Sequence, residues 1–319
     1  MKIGVLVNNF GGFPETGRGA AACVDLALHA ERLGFASVWV TDHVVLPVSR
    51  RTDYPHNDSG HFPYTWEQEI HEPLTLMAAI AQVTERVEIG VSVLVIPYRH
   101  PLTTAKMLAT ADQLSAGRVV LGAGVGWLRD EFEALGIPPE QYEKRGAVTV
   151  DFLRAMKVAW TESPASYQGP YVAFKDIGTR PHPVRAPHPP IWVGGQGDRA
   201  LRRAVELGDG YLAISSNPER LRGEVTRLRE LAERAGRSPE TLTVGHIDGI
   251  VFGEESRGDE GASLSGSTPQ ILDGLRAYSD AGLQHIAAGV SVAGQYSFAA
   301  TVDALERAAE EILPVVAAF

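Results

Sequence analysis

Residues 86–127 decide the fold, and they read RVEIGVSVLVIPYRHPLTTAKMLATADQLSAGRVVLGAGVGW. Residues 87–95 alternate between apolar and polar types and then become continuously apolar, as is typical of a strand covered on both faces. Pro97 ends this strand, and residues 101–114 show the spacing of a helix that begins at a proline. A second apolar run follows at residues 119–121. The stretch therefore predicts two parallel strands joined by a helix.

The same alternation continues on both sides of this unit. Further strands are predicted at residues 3–7, 37–40, 191–193, 211–214, 242–251 and 285–288. Helices are predicted between them, the last over residues 298–316, and several end in a glycine just before the next strand. Eight alternations of strand and helix predict a (β/α)8 TIM barrel with insertions at its C-terminal face.

Three segments interrupt the alternation. We predict a single domain over residues 1–319, with an insertion at about 163–190 whose prolines forbid a long helix and whose residues 171–174 favour a hairpin outside the barrel or on its rim. The 44–70 segment has no period but many aromatic residues, which is typical of a lid or pocket wall. The 253–267 segment is rich in glycine, serine and acidic residues, and it predicts a mobile loop at the mouth.

Composition limits the class of partner. The net charge of −10 and a pI near 5.5 argue against nucleic acid, which requires a basic face. The single cysteine, Cys23, provides neither a disulfide nor a metal cluster, and we expect it to be a buried apolar side chain in a reducing cytoplasm. No apolar run reaches about 18 residues, and Met1-Lys2 leads directly into a strand, so we expect neither a signal peptide nor a membrane span.

Polar and glycine-rich residues follow several predicted strands, where α/β barrels carry their chemistry. Thr41-Asp42-His43 ends the second strand, and His43 is a candidate proton donor or acceptor, with a satisfied buried histidine as the alternative. Gly194-Gly195-Gln196 stands between a buried strand and a helix, which predicts a phosphate site, with a tight turn as the alternative. The glycines at 122, 124 and 126 leave the backbone open to a ligand. A dinucleotide fold is set aside because Pro138-Pro139 falls where its second strand would lie.

Four motifs in this order resemble the bacterial luciferase-like superfamily, in particular its coenzyme F420-dependent oxidoreductase branch, over essentially the whole chain. They are Val40-Thr41-Asp42-His43, Gly90-Val91-Ser92-Val93, residues 121–126 and residues 190–195. Tyr98-Arg99-His100-Pro101 together with Gly124-Val125-Gly126-Trp127 resembles the F420 group more than the FMN group.

The resemblance implies a deazaflavin or flavin lying across the C-terminal mouth of the barrel. It implies that His43 sits by the reactive carbon of the cofactor, that Asp42 holds the polar edge of the ring, and that a bulge with a cis peptide at Ser92-Val93 backs the ring. It also implies cofactor contacts along the glycine-rich strand ends. These are Gly124, Gly126, Gly194, Gly195 and Gln196, with the phosphate on the last three.

The substrate side departs from one part of this branch. Its sugar-phosphate dehydrogenases carry a glutamate directly after the glycine run, whereas this chain has Trp127. A sugar phosphate is therefore not the expected substrate, and Glu131 or a tyrosine of the lid is the candidate for the missing general acid. Trp127, Tyr64 and Trp66 are predicted to form apolar walls of the substrate pocket.

We predict an F420-dependent oxidoreductase that transfers a hydride between the deazaflavin and a small organic substrate. The alternatives are an FMN-dependent two-component monooxygenase and a flavin-binding barrel without catalysis. A metal-dependent hydrolase on the same barrel would need a His-x-His pair at a strand end, which the sequence lacks, and no metal is expected. The resemblance further implies a homodimer and a separate reductase or dehydrogenase that recycles the cofactor.

Overall fold

The computed structural model describes residues 1–55, 59–214, 217–253 and 264–319. Its strands are β1 Lys2–Leu6, β2 Ser37–Val40, β3 Glu88–Val95, β4 Val119–Gly124, β5 Ala165–Gln168, β6 Ala173–Ile177, β7 Ile191–Gly195, β8 Gly210–Ala213, β9 Thr243–Phe252, β10 Leu264–Gly266 and β11 His285–Val292. Its α-helices are α1 Ala20–Leu33, α2 Pro73–Val83, α3 Pro101–Leu114, α4 Arg129–Ala134, α5 Pro139–Glu143, α6 Arg145–Thr161, α7 Gly197–Leu207, α8 Pro218–Arg234, α9 Thr268–Asp280, α10 Phe298–Glu311 and α11 Leu313–Val316.

Eight parallel strands close into a barrel, in the order β1, β2, β3, β4, β7, β8, β9 and β11, with β11 pairing back to β1. Helices surround these strands, and their apolar faces form one large core with the outer faces of the strands. The predicted (β/α)8 TIM barrel is therefore confirmed. No helix within the described ranges is long and apolar enough to cross a membrane.

Large side chains fill the barrel at the amino ends of its strands. The rings of Trp39 and Trp192 lie 5.3 Å apart, and His285 packs against both of them. A Cβ atom on Gly90 would lie 2.2 Å from the Trp39 ring, so the glycine in this apolar strand makes room for tryptophan. Active sites of (β/α)8 barrels lie at the carboxyl ends of the strands, so the functional site is expected at that end of this barrel.

The interruptions behave in different ways. The 163–190 stretch contains the antiparallel hairpin of β5 and β6, which packs on the outside of α6 through hydrogen bonds to Asp151. Within the predicted 253–267 loop, Leu264–Gly266 is instead a strand that pairs with β9, and residues 254–263 lie outside the described ranges. The last predicted helix is divided between α10 and α11, because Pro314 has no amide hydrogen to continue the helical ladder.

Candidate active site

His43 and Glu131 form a buried pair at the mouth of the barrel. His43 follows the end of β2, and its Nδ1 atom lies 2.7 Å from Oε2 of Glu131, on α4. Glu131 is completely buried, and His43 keeps 12% of its side chain exposed. Backbone amides of Val44 and Val45 donate to Oε1 of Glu131 at 2.5 and 3.1 Å, and the hydroxyl of Tyr98 donates to Oε2 at 2.8 Å.

These donors decide the role of Glu131. Burial, followed by the charge of Glu131, raises the pKa of Tyr98, so its hydroxyl stays protonated and donates. The Glu131 carboxylate accepts these three hydrogen bonds, and Nδ1 of His43 is its fourth donor, so Nδ1 carries a proton. Nε2 then has no protein partner among the described residues. Glu131 therefore lies behind His43 as its anchor, rather than in the mouth as the candidate general acid.

Asp42 is also bonded to protein. Its side chain is fully buried, and Arg99 donates to its two oxygens at 2.8 and 2.9 Å. The amide of Val95 donates to Oδ2 at 2.8 Å. Burial raises the pKa of Asp42, and the hydrogen bonds from Arg99 oppose that shift. Asp42 thus connects the end of β2 to the end of β3 through its hydrogen bonds with Val95 and Arg99. Arg99 was not predicted from the sequence as a site residue.

The end of β3 is bulged as expected. The pairing of β3 with β4 shifts register between Val91 and Leu94, and the Ser92-Val93 peptide is cis. Ser92 is buried, yet its Oγ atom has no hydrogen-bond partner in the described part of the chain. A buried hydroxyl without a partner is unfavourable, so this atom suits a ligand that supplies one.

Val93 explains two of the glycines that were predicted to contact a cofactor. A Cβ atom on Gly124 or Gly194 would lie 2.3 or 2.6 Å from a methyl group of Val93. The space beside Gly126 is likewise taken by Phe132 and Val95. These three glycines therefore make room for neighbouring side chains, and their contact with a cofactor stays a prediction.

The predicted phosphate loop remains open further along the chain. Gly195 and Gly197 have φ of 134° and 73°, and nothing lies within 4 Å of a Cβ atom on Gly197. Gln196 is the N-cap of α7, but its side chain donates to the carbonyl of Ile214 instead of capping the helix. The first amides of α7 therefore have no side-chain cap from Gln196, which is the arrangement that binds an anion.

Aromatic rings from the lid cover His43. Phe62 is 8% exposed and lies 5.5 Å from the His43 ring and 5.2 Å from Trp127. Tyr64 packs on Phe10 at 4.1 Å, and Tyr54 packs on Trp127 at 5.2 Å. The described parts of the 44–70 segment thus pack over His43 and Trp127, and their role as a lid or pocket wall stays a prediction.

The sequence identified part of this aromatic cluster. Trp127 and Tyr64 belong to it, whereas Trp66 is 52% exposed and is not brought to His43. Phe10 and Phe62 were missed as site residues, although the crowding of aromatic residues in the 44–70 segment was the available signal. Burial raises the pKa of Tyr54 and Tyr64, so their hydroxyls are protonated at neutral pH.

Comparisons with known proteins bear on the family of this chain. The sequence model of a family described as luciferase-like monooxygenase matches residues 1–257. An uncharacterised protein of Mycobacterium tuberculosis is 32% identical over 210 residues, which cover 65% of this chain and 72% of that protein. An FMNH2-dependent dimethylsulfone monooxygenase of Pseudomonas putida is 28% identical over 205 residues, or 64% of this chain and 56% of the enzyme. An F420-dependent glucose-6-phosphate dehydrogenase of Amycolatopsis mediterranei is 29% identical over 222 residues, or 69% of this chain and 61% of the enzyme.

Solved structures share the whole fold. A monooxygenase from Streptomyces bottropensis superposes with a TM-score of 0.79 at 22% identity, covering 98% of this chain and 99% of its own. An F420-dependent secondary alcohol dehydrogenase superposes with a TM-score of 0.78 at 19% identity, covering 99% and 98%. At these identities the likeness concerns the fold, and it includes proteins that use different cofactors.

Proposed function

Because the chain belongs to the luciferase-like monooxygenase family, whose members are oxidoreductases, we propose that it is an F420-dependent oxidoreductase acting on a small organic substrate. The observation that carries the proposal is the His43 and Glu131 pair at the mouth, where one nitrogen of the histidine is anchored and the other is left for substrate. Hydride transfer to or from a carbon that bears oxygen also moves one proton, and a positioned histidine is suited to that step.

The residues at the mouth fit a deazaflavin. Ser92 Oγ is a buried polar atom that needs a partner, and the first turn of α7 offers amides to a phosphate group. Bound there, the deazaflavin supplies or accepts the hydride. The aromatic lid excludes water from His43, and Trp127 and Phe62 present apolar surface to the substrate.

The residues of the site then have separate roles in the reaction. Nε2 of His43 gives a proton to, or takes one from, the substrate oxygen. Glu131 keeps the ring in one orientation and stabilises it when it is protonated, and Tyr98 and the two lid amides keep Glu131 in place. Asp42 fixes the bulged end of β3 through Val95 and Arg99, and so positions Ser92 without touching the reacting atoms.

The FMN-dependent monooxygenase is a second candidate, because the dimethylsulfone monooxygenase matches the chain about as well as the F420-dependent dehydrogenase does. A reduced flavin would then come from a separate reductase. The two functions are distinguished by incubating the protein with each reduced cofactor and candidate substrates. Turnover with F420 under anaerobic conditions supports the proposal, whereas turnover that requires reduced FMN and dioxygen supports the alternative.

We extend the proposal to the partners of the protein. From the family, it is expected to act as a homodimer in the cytoplasm and to rely on a separate dehydrogenase or reductase that recycles the cofactor. Sedimentation that shows only a monomer at micromolar concentration would argue against the dimer.

A further inference from the structure

Two arginines of α7 have no carboxylate partner among the described residues. Arg199 is exposed in the first turn of the helix, and Arg203 follows one turn later, half-buried. The Nε atom of Arg203 is buried and has no hydrogen-bond partner within the described ranges. A buried charged donor without a partner is costly, so Arg203 suits an anion that accepts its hydrogen bond.

The neighbouring arginines are paired. Arg202, on the same helix, lies 2.8 Å from Asp198, and Arg227 of α8 lies 2.6 Å from the same carboxylate. The chain has 39 acidic residues and 29 basic ones, so carboxylates are in excess overall. The lack of a carboxylate at Arg199 and Arg203 is therefore a local feature of this helix face.

The two arginines lie close to the predicted phosphate loop. Nη1 of Arg203 is 3.4 Å from the position that a Cβ atom on Gly146 would take, so its guanidinium lies against the first turn of α6. Arg145, next to Gly146, donates to the carbonyls of Gly126 and Tyr142 and is not in an ion pair among the described residues. Arg203 thus lies between the starts of α6 and α7, close enough to Arg199 for their charges to interact.

The like charges of Arg199 and Arg203 act on each other. Burial, followed by the charge of Arg199, lowers the pKa of Arg203. A bound anion would oppose this lowering of the Arg203 pKa, since it would accept hydrogen bonds from the guanidinium and offset the charge of Arg199.

We propose that Arg199 and Arg203 form a subsite for the anionic tail of the cofactor beyond its phosphate, which in F420 is a chain of glutamates joined through a phosphodiester. The inference rests on the proposed function. It identifies the anionic tail as the part of the cofactor by which this chain distinguishes F420 from FMN. The two arginines follow the uncapped start of α7, and Arg203 is about 9 Å along the helix axis from Gly197. An extended chain of about three residues spans that distance. FMN ends at its phosphate and has no group that reaches Arg203.

The test measures dissociation constants by fluorescence titration of the full-length protein without cofactor. The ligands are F420 with several glutamates and the same deazaflavin cofactor without its glutamates, which keeps the ring system and the phosphate. The variants are Arg199→Ala, Arg203→Ala and the double variant, and Arg202→Ala is the matched control on the same helix. Thermal melting of each variant, together with Arg203→Met, which keeps the aliphatic part of the side chain, checks folding.

We expect the double variant to bind F420 on the order of tenfold more weakly and to bind the form without glutamates within about twofold of the parent protein. Arg202→Ala should bind both ligands like the parent, and added salt should weaken F420 binding less in the double variant than in the parent. Equal losses for the two ligands would show a structural role, and unchanged F420 affinity would show that the tail lies elsewhere; either result overturns the subsite alone. If the parent protein binds FMN and neither deazaflavin, the proposed function and the subsite both fail.

Discussion

Nδ1 of His43 lies 2.7 Å from Oε2 of a glutamate, Glu131, that is completely buried behind it. The carboxylate also accepts from Tyr98 and from the amides at the start of the lid. The buried carboxylate of Glu131 therefore orients His43 and also binds the first residues of the lid. This arrangement connects the end of β2, the helix α4 and the predicted pocket wall, and the predictions below start from it.

Replacing Glu131 with glutamine removes the charge but keeps the size. We expect Glu131→Gln to reduce kcat by on the order of tenfold to a hundredfold while the KM for the cofactor changes little, because the histidine loses its anchor and the cofactor does not touch Glu131. Steady-state kinetics across pH checks this, since a change in the shape of the pH profile of kcat is not expected from a purely structural loss. Glu133→Gln is the control, because Glu133 lies on the same helix, is exposed and pairs with Arg51. An unchanged kcat in Glu131→Gln would remove its positioning role.

His43→Ala should reduce turnover by about 10² or more and leave most of the cofactor affinity, as the loss of a general acid or base does. Single-turnover rates and cofactor titration of the same preparation separate the two effects. If affinity falls while the rate with saturating cofactor is retained, His43 binds the cofactor and does not move a proton.

Ser92 and Ser37 are a matched pair of buried serines. Ser92→Ala removes a hydroxyl that has no partner among the residues the structure describes, so the free energy of unfolding should hardly change, while cofactor affinity falls about fivefold, equivalent to about 1 kcal/mol. Ser37 Oγ instead accepts from Trp39 at 2.6 Å and pairs with His285 at 2.7 Å. Ser37→Ala should therefore lower the free energy of unfolding by about 1 to 3 kcal/mol and leave cofactor affinity unchanged. Denaturant unfolding and fluorescence titration test both variants, and a reversed pattern would refute the assignment of Ser92 to the cofactor.

Burial, with a smaller contribution from Lys2, lowers the pKa of His285 from 6.5 to about 3. The unfolded chain takes up a proton at this histidine below about pH 6.5, whereas the folded chain does not, so stability is present above that pH and is lost as the pH falls toward 3. His285 alone should make the free energy of unfolding fall by up to about 1.4 kcal/mol per pH unit in this window. Denaturant unfolding from about pH 7 to pH 5 measures the slope. His285→Gln should make it shallower and the exposed His100→Gln should not; equal slopes in all three proteins would contradict the burial effect.

The barrel was predictable because alternating strands and helices leave a periodic pattern in a single sequence. The interior of the barrel was not, since each exception depends on a residue from another strand. Gly90 makes room for Trp39 and Gly124 makes room for Val93, and neither partner can be read from the strand that contains the glycine.

The sequence predicted which residues belong to the candidate site better than it predicted which partners their side chains contact. His43, Asp42, Ser92 and Glu131 were named from the strand ends and the glycine run, but only the structure shows that Asp42 turns to Arg99 and that Glu131 turns to Nδ1 of His43. Glu131 and Glu133 have the same chemistry on a six-residue helix, and which of them faces the barrel is decided by how α4 packs on Tyr98 and the lid.

The most direct test of the account is a titration of the purified protein with F420 and with FMN, followed by fluorescence under identical conditions. We predict saturable binding of F420 and at least about tenfold weaker binding of FMN, because the mouth and the arginine subsite together bind the ring, the phosphate and the anionic tail. Saturable binding of FMN with no binding of F420 would contradict the central claim.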